Sequence, residues 1–391
     1  MPWKETNVVD ERMRFLMEYL NQEESMSALC RKFHISRKTG YSLINRYLSD
    51  GPVGLYDRSR APRYHPHAVD DDTISAVLNL RDIHPTWGAR KLHAWLNRHR
   101  PRTRWPSTST IGRILSRHGR IAIRRRSHKT PPYTQPFAES DRPNKIWCAD
   151  FKGWFRTGDG KRCEPLTITD SYSRYVLACR ALPKTTYSFV FPVFESLFRR
   201  YGLPWVIRTD NGSPFASNAL GGLSQLSVWW IKLGIVPERI EPGHPEQNGR
   251  HERFHRTLKE DTISPPQPSL ALQQAVFQRF CKEFNDERPH QALDYKTPSA
   301  LYHCSQRPLP TRPLEMRYPD HMIVRKVRPG GQIRWKGEEV FVSQTLAGEP
   351  IAFEPINDYI YTIHYGPMKL AEYNEQKRKI IKPTVNWKKR C

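Results

Sequence analysis

The sequence predicts a multidomain protein with all-α units in its N-terminal part, a central α/β core built on a mixed sheet, and a small C-terminal β-barrel. Its 391 residues exceed what one hydrophobic core usually serves. Up to about residue 118 the apolar residues recur at helical spacing, and after residue 145 strand and helix patterns alternate. Short strand patterns at close spacing fill the region after residue 321.

The first predicted unit, residues 1–56, has helix-turn-helix spacing. Helical patterns cover 8–20, 26–33 and 37–48, and Ser36 is the predicted N-cap of the third helix. That helix opens with side chains able to reach base edges and phosphates in a DNA major groove. The candidates for DNA contact are Arg37, Lys38, Thr39, Tyr41, Ser42 and Arg46. An ordinary three-helix bundle with a solvated basic face is the alternative.

A second basic unit follows a linker rich in proline and arginine at residues 57–71. Helical patterns predict a helix-turn-helix or winged-helix-like unit at 72–120, with Ser107 capping its last helix. No Asp or Glu occurs between Asp82 and Glu139. Because so long a one-signed block repels itself unless it lies along phosphates, this unit and a basic connector at 121–143 are predicted to bind DNA. The candidates are Arg90, Lys91, Arg124, Arg125 and Arg126.

The central core is predicted at residues 144–264. Strand patterns cover 145–155, 164–170, 174–182, 205–209 and 235–240, and helical patterns cover 187–201, 226–233 and 248–262. Three consecutive strands indicate antiparallel pairing, and the later alternation of strands and helices indicates a mixed sheet. A helical extension at 265–305 follows the core.

The last predicted domain, residues 321–391, follows a proline-rich linker at 306–320. Short strands are predicted at 322–327, 332–335, 338–342, 350–355 and 359–365. Strands of this length and spacing are typical of a small barrel.

The charge balance favours a polyanionic partner. Lys and Arg total 63 against 39 Asp and Glu, a formal net charge of +24. No apolar run approaches the roughly 20 residues of a membrane-spanning helix, and the mean hydropathy is −0.71. Seven cysteines without a Cys-x-x-Cys pair argue against a disulfide framework. We therefore expect a cytoplasmic protein that binds double-stranded DNA and no membrane.

Two aspartates stand out in the predicted core. Asp150 lies within an apolar strand pattern, where a charge is costly unless it meets a counter-charge, a proton or a metal. Asp210 ends the strand 205–209, which places it at a sheet edge where α/β active sites usually lie. Because Asn211-Gly212 follows, turn chemistry is the alternative for Asp210. Asp170 is predicted to be a turn residue.

A third carboxylate comes from Glu241, Glu246 or Glu252. We predict Glu252, because a residue within a helix can be held to the geometry of a metal ligand, whereas Glu246 lies in a loop. Arg256 and Lys259 share the helical face of Glu252 and would contact DNA beside it. A surface ion pair of Glu252 with Arg256 is the alternative.

Taken together, these regions resemble the catalytic core of retroviral-integrase-like DDE transposases of bacterial insertion sequences. The shared motifs are Trp147-x-x-Asp150, Thr209-Asp210-Asn211-Gly212 with Phe215 after it, and Asn248-Gly249 three positions before Glu252. Residues 284–290 also resemble a segment that follows the core in that family. The retroviral zinc-binding His/His/Cys/Cys module is missing, and helical units take its place.

The resemblance implies a ribonuclease-H-like core that cleaves the 3′ ends of its element and transfers them to target DNA, and recognition of the terminal inverted repeats. It implies catalytic and metal-ligating roles for Asp150, Asp210 and Glu252. Two Mg²⁺ ions are the expected cofactor, with Mn²⁺ as a substitute, because hard cations prefer carboxylate oxygens. A homodimer or higher oligomer on nucleoid DNA is expected.

Two alternatives to this function remain open. One is a catalytically inactive DNA-binding regulator derived from a transposase, against which the three intact carboxylates argue. The other is a ribonuclease-H-like nuclease acting on duplexes that contain RNA. In that case the two N-terminal helical units would have no purpose.

Overall fold

The computed structural model describes residues 7–60, 68–121, 139–240, 249–312 and 314–381. It divides the chain into two compact units, Met1–Val69 and Asp70–Cys391. No helix in these described ranges is long and apolar enough to cross a membrane.

The first unit is a bundle of three helices, as the spacing predicts. Its helices are α1 (Val8–Leu20), α2 (Met26–Lys32) and α3 (Arg37–Asp50), followed by a 3₁₀ helix at Gly51–Leu55. Ser36 caps α3 by accepting a hydrogen bond from the backbone N–H of Thr39, which confirms the predicted cap. The buried core consists of Phe15, Leu16, Leu29, Cys30, Leu43 and Ile44.

The second unit begins with three helices that match the second predicted helical region. They are α4 (Asp71–Ile83), α5 (Ala89–His99) and α6 (Thr108–Arg117). Ser107 caps α6, as predicted. The candidates Arg124, Arg125 and Arg126 lie outside the described residues.

A mixed sheet forms the centre of the second unit. Its strands are β1 (Ile146–Phe151), β2 (Phe155–Arg156), β3 (Arg162–Asp170), β4 (Val176–Leu182), β5 (Val206–Thr209) and β6 (Val236–Arg239). The strands β1, β3 and β4 pair antiparallel, and β1, β5 and β6 pair parallel. The predicted mixed sheet is therefore confirmed.

Two pairs of helices cover this sheet. The helices α7 (Tyr187–Tyr201) and α8 (Gln225–Lys232) share a buried core with Trp147 and Ile207. The helices α9 (Gly249–Thr262) and α10 (Leu270–Asp286) share a second core with β4. Since side chains alternate along a strand, Trp147 of β1 faces α7 and α8 while Asp150 faces α9.

The C-terminal region is built of short strands, but the predicted barrel is not confirmed. Its strands are β7 (Ile323–Lys326), β8 (Gln332–Trp335), β9 (Glu338–Phe341), β10 (Pro350–Pro355), β11 (Ile360–Tyr365), β12 (Met368–Asn374) and β13 (Lys379–Ile381). Five of them form an antiparallel sheet in the order β13-β12-β11-β10-β7, and β8 and β9 form a separate hairpin. Within the described residues no pairing joins the two sheets or the two sheet edges into a closed barrel. Trp335 of the hairpin packs on Phe353 of the sheet, so the hairpin covers the sheet instead.

Candidate active site

Asp150 lies near the carboxyl end of β1, opposite Thr167 of β3. Its side chain retains 16% of its exposure, and its Oδ2 lies 4.0 Å from Nδ1 of His255 on α9. The strand and the helix thus place this carboxylate in a largely enclosed position beside an imidazole.

A hydroxyl organises the imidazoles around Asp150. The Oγ1 of Thr167 lies 2.8 Å from Nε2 of both His251 and His255, and it donates a hydrogen bond to the carbonyl oxygen of Asp150 at 3.0 Å. A hydroxyl has one hydrogen and two lone pairs, so Thr167 serves all three partners when it donates to the carbonyl and accepts from both Nε2 atoms. In that arrangement the unprotonated Nδ1 of His255 lies 4.0 Å from the Asp150 carboxylate.

Burial keeps both imidazoles neutral. It lowers the pKa of His251 to about 4 and that of His255 to about 2, where His251 and Lys152 add to the effect. Neither imidazole therefore provides a positive charge to Asp150 at neutral pH.

The donor set suits a divalent cation. One ligand atom each from Asp150, His251 and His255 lie within 4.8 Å of one another, and in the described part of the chain these three form the group able to hold a metal ion. Carboxylate oxygen and neutral imidazole nitrogen are ordinary ligands of divalent transition metals. Sequence reasoning missed both histidines, although their i, i+4 spacing around Glu252 places them on one helical face.

Asp210 directly follows β5, as predicted, and the register places it beside Asp150. Ala149 of β1 pairs with Thr209 of the parallel strand β5, so the next residue on each chain is an aspartate. Asp210 Oδ1 also accepts a hydrogen bond from the N–H of Gly212 at 3.1 Å, which is the predicted turn chemistry. Burial raises the pKa of Asp210.

Glu252 is exposed on the first turn of α9, and the helix directs His251 and His255 at β1 in its place. With about 100° per residue, Glu252 lies about 60° around the helix from His255 and thus borders the histidine face. Arg256 and Lys259 are exposed on the same side. Glu252 and Asp210 do not belong to the group of close ligand atoms within the described residues. Glu241 and Glu246 lie outside those residues.

Most of the predicted DNA-contacting side chains in the first unit are available to a ligand. Arg37, Lys38, Thr39, Tyr41 and Ser42 are exposed on α3. Arg46 is half-buried and donates a hydrogen bond to the carbonyl of Tyr56, so it also holds the bundle together. In the second unit Arg90 is exposed and Lys91 is half-buried.

Family models of integrase cores and of helix-turn-helix domains match parts of this chain. Models described as an integrase core domain match residues 140–245 and 233–298. A helix-turn-helix domain model matches residues 11–63, and a homeodomain-like domain model matches residues 39–115.

Proteins of insertion elements are similar to this chain. The uncharacterized 31.7 kDa protein of insertion element IS407 from Burkholderia multivorans is 26% identical over 277 residues, which cover 70% of this chain and 93% of that protein. The transposase InsD of insertion element IS2 from Escherichia coli is 27% identical over 291 residues, covering 68% and 91%. These similarities confirm the predicted resemblance to integrase-like transposases of insertion sequences.

A solved structure also matches much of the chain. The simian T-cell lymphotropic virus intasome, in complex with the PP2A regulatory subunit B56 gamma, matches at 19% identity and a TM-score of 0.37. The match covers 75% of this chain and 98% of the matched chain.

Proposed function

We propose that this chain is the transposase of an insertion sequence, which cleaves the 3′ ends of its element and transfers them to target DNA. The observation that carries the proposal is the placement of Asp150 and Asp210 at neighbouring positions of two parallel strands, with α9 and Glu252 at the same end of the sheet. In-line attack on a phosphodiester requires such convergent oxygen ligands for metal ions. The helix-turn-helix and integrase core matches support the assignment.

We assign the metal-ligating roles to Asp150, Asp210 and Glu252, with two Mg²⁺ ions or, as a substitute, Mn²⁺. The fit rests on the surroundings of Asp150, where one ligand atom each from the carboxylate and two neutral imidazoles lie within 4.8 Å of one another. Bound ions would activate the attacking oxygen and stabilise the leaving oxygen. The chain itself contributes rigidity, because Thr167 ties β3 to β1 and to both imidazoles.

A division of labour along the chain follows from this assignment. Residues 1–56 and 72–120 would recognise the terminal inverted repeats, and residues 144–264 would perform the chemistry. The C-terminal domain, residues 321–391, would bind DNA or hold protomers together. Because both ends of an element are cut in one assembly, we propose a homodimer or higher oligomer on DNA, located in the bacterial cytoplasm with the nucleoid.

Single-turnover cleavage of a labelled element end tests the proposal and its third carboxylate together. The wild-type chain should cut at the 3′ end only when Mg²⁺ or Mn²⁺ is added. Glu252→Gln should eliminate cleavage and leave DNA binding intact, while the matched variant Glu246→Gln should retain measurable activity. Full activity in Glu252→Gln with loss in Glu246→Gln would overturn the assignment. A wild-type chain that binds ends with either metal present but never cuts them would instead be an inactive regulator.

A further inference from the structure

A basic cavity of about 610 Å³ lies between α5, the carboxyl end of β3, α9 and the segment that follows α10. The cations that line it are Lys91, Arg174, Arg208, Arg253, Arg256 and Arg288. Only two carboxylates, Asp170 and Glu260, line it among the described residues. We call it the Lys91 pocket.

Several of the other charged groups around the Lys91 pocket already have partners. Arg288 pairs with Asp261 at 3.1 Å, and Arg208 pairs with Glu238 at 2.5 Å. Asp170 accepts hydrogen bonds from the backbone N–H of Asn144 and from Ser173. The negative charges near the pocket are therefore largely engaged in holding the fold together.

Lys91 differs from these groups. Among the described residues, no carboxylate oxygen lies within 4.0 Å of the Lys91 ammonium nitrogen, the distance limit of an ion pair. Burial, together with the positive charge of Arg288, lowers the pKa of Lys91 to about 8, and the negative charge of Asp261 offsets part of this effect. Cations enclosed side by side are costly unless an anion lies between them.

A second observation points into the same pocket. The Nε2 of His290 is buried and has no hydrogen-bond partner within the described residues, although His290 lines the cavity. His290 is neutral and its other ring nitrogen bonds to the backbone of Phe284, so this Nε2 is an acceptor that requires a hydrogen-bond donor, such as a water molecule, inside the pocket.

We propose that the Lys91 pocket binds one backbone phosphate of the DNA on which the chain acts. The identification of the ligand as DNA rests on the proposed function, whereas the existence of the anion-binding pocket does not depend on it. Arg256 belongs to α9 beside Glu252, so a strand that enters the active site also passes the mouth of the pocket. At the other wall, Lys91 belongs to α5, in the helical unit predicted to bind DNA.

The pocket would also strengthen the junction between this helical unit and the core. That junction already contains a hydrogen bond of 2.9 Å between His84 Nδ1 and Glu283 Oε1, and another of 2.9 Å from Arg98 to the carbonyl of Tyr295. A phosphate between Lys91 and Arg288 would add a charged bridge across it. DNA bound there would fix the helical unit on the core.

The test uses the full chain and two probes, inorganic phosphate and element-end DNA. Phosphate should raise the thermal unfolding midpoint of the wild type and of Lys91→Arg, and should not raise that of Lys91→Met. Lys282→Met is the matched control, because Lys282 is exposed on α10 and does not line the pocket. Without phosphate, Lys91→Met should unfold at or above the wild-type midpoint, since it removes an enclosed charge.

Binding of element-end DNA then tests whether the phosphate that the pocket binds belongs to the DNA backbone. The slope of log affinity against log salt should become shallower by about one in Lys91→Met and should not change in Lys282→Met. Loss of the phosphate effect with an unchanged salt slope would mean that the pocket takes a free anion, and would overturn the DNA assignment. Phosphate stabilisation that persists in Lys91→Met would overturn the pocket. If wild type fails to cleave DNA while both Lys91→Met effects appear, the proposed catalysis fails and the pocket stands.

Discussion

Two aspartates at opposite ends of the β1–β3 pair show how differently one sheet treats the same side chain. Asp170, opposite Trp147, is fully buried and accepts hydrogen bonds from the N–H of Asn144 and from the N–H and hydroxyl of Ser173. Asp150 lies opposite Thr167 and faces the Nδ1 of a neutral His255. Both lie at or near the carboxyl end of a largely apolar strand.

The difference teaches which buried carboxylate can take a ligand. Asp170 stabilises a turn, and its oxygens are directed at donors that the backbone fixes in place. Asp150 lies 4.0 Å from the Nδ1 of a neutral imidazole, so the carboxylate and the imidazole can both contribute ligands to one cation. An acidic residue within an apolar strand pattern therefore identifies a candidate site only when its neighbours offer lone pairs in place of hydrogens.

The largest expected effect separates the two aspartates by function. Asp150→Asn should reduce 3′ cleavage and strand transfer on the order of 10³-fold or more, because the amide cannot replace a charged metal ligand. End binding by mobility shift and the thermal midpoint should stay close to wild type. Appreciable Mg²⁺-dependent cleavage by the purified variant would remove Asp150 from the active site.

A smaller effect should separate them by stability. Asp170→Asn should lower the free energy of unfolding by about 2–3 kcal/mol, since an amide NH₂ would meet donors where a carboxylate oxygen accepts their hydrogens. Urea denaturation measures the change, and Asp286→Asn is the control because Asp286 is exposed at the end of α10. Equal stability of the two variants would show that Asp170 does not hold the turn.

The smallest expected effect is on the pH dependence of stability, to which the buried His290 and Asp170 contribute in opposite directions. Burial, with Lys91 and Arg288, lowers the pKa of His290 to about 3 from an ordinary 6.5. Its neutral form therefore contributes stability that is present above pH 6.5 and is lost as the pH falls towards 3. Burial raises the pKa of Asp170, so the contribution of Asp170 has the opposite sign: it is present at low pH and lost as the pH rises through that raised pKa.

Unfolding measured at pH 6.5 and pH 5 isolates the histidine. Wild type should lose about 1–2 kcal/mol more than His290→Gln over this interval. An identical loss in the two proteins would show that His290 takes up its proton in the folded state.

Local patterns predicted the elements of this fold better than its site. Helical spacing and the caps Ser36 and Ser107 depend on neighbours in sequence, and so does the pairing of consecutive strands. The strand β12 was missed because the charges of Lys369 and Glu372 interrupt its apolar alternation and its pairing with β11 shifts register. The barrel was predicted from strand spacing alone, which does not determine whether two sheet edges meet.

The position of His251 and His255 could not be predicted for a related reason. Their spacing places them on one face of α9, but the rotation of α9 about its own axis is determined by Phe254 and Leu258 packing on α10. Only that tertiary contact turns the histidines towards β1. The sequence motif pointed to Glu252, which borders the same face.

The parallel register of β1 and β5 determines both the position of the two carboxylates and the packing of the core. Side chains alternate along each strand, so a slip of one residue would send Asp150 to the side of Trp147 and bring Trp147 out of the core. The alignment of Asp150 with Asp210 is therefore maintained by the packing of residues that never touch DNA. The packing of the core thereby also fixes the spacing of the two carboxylates.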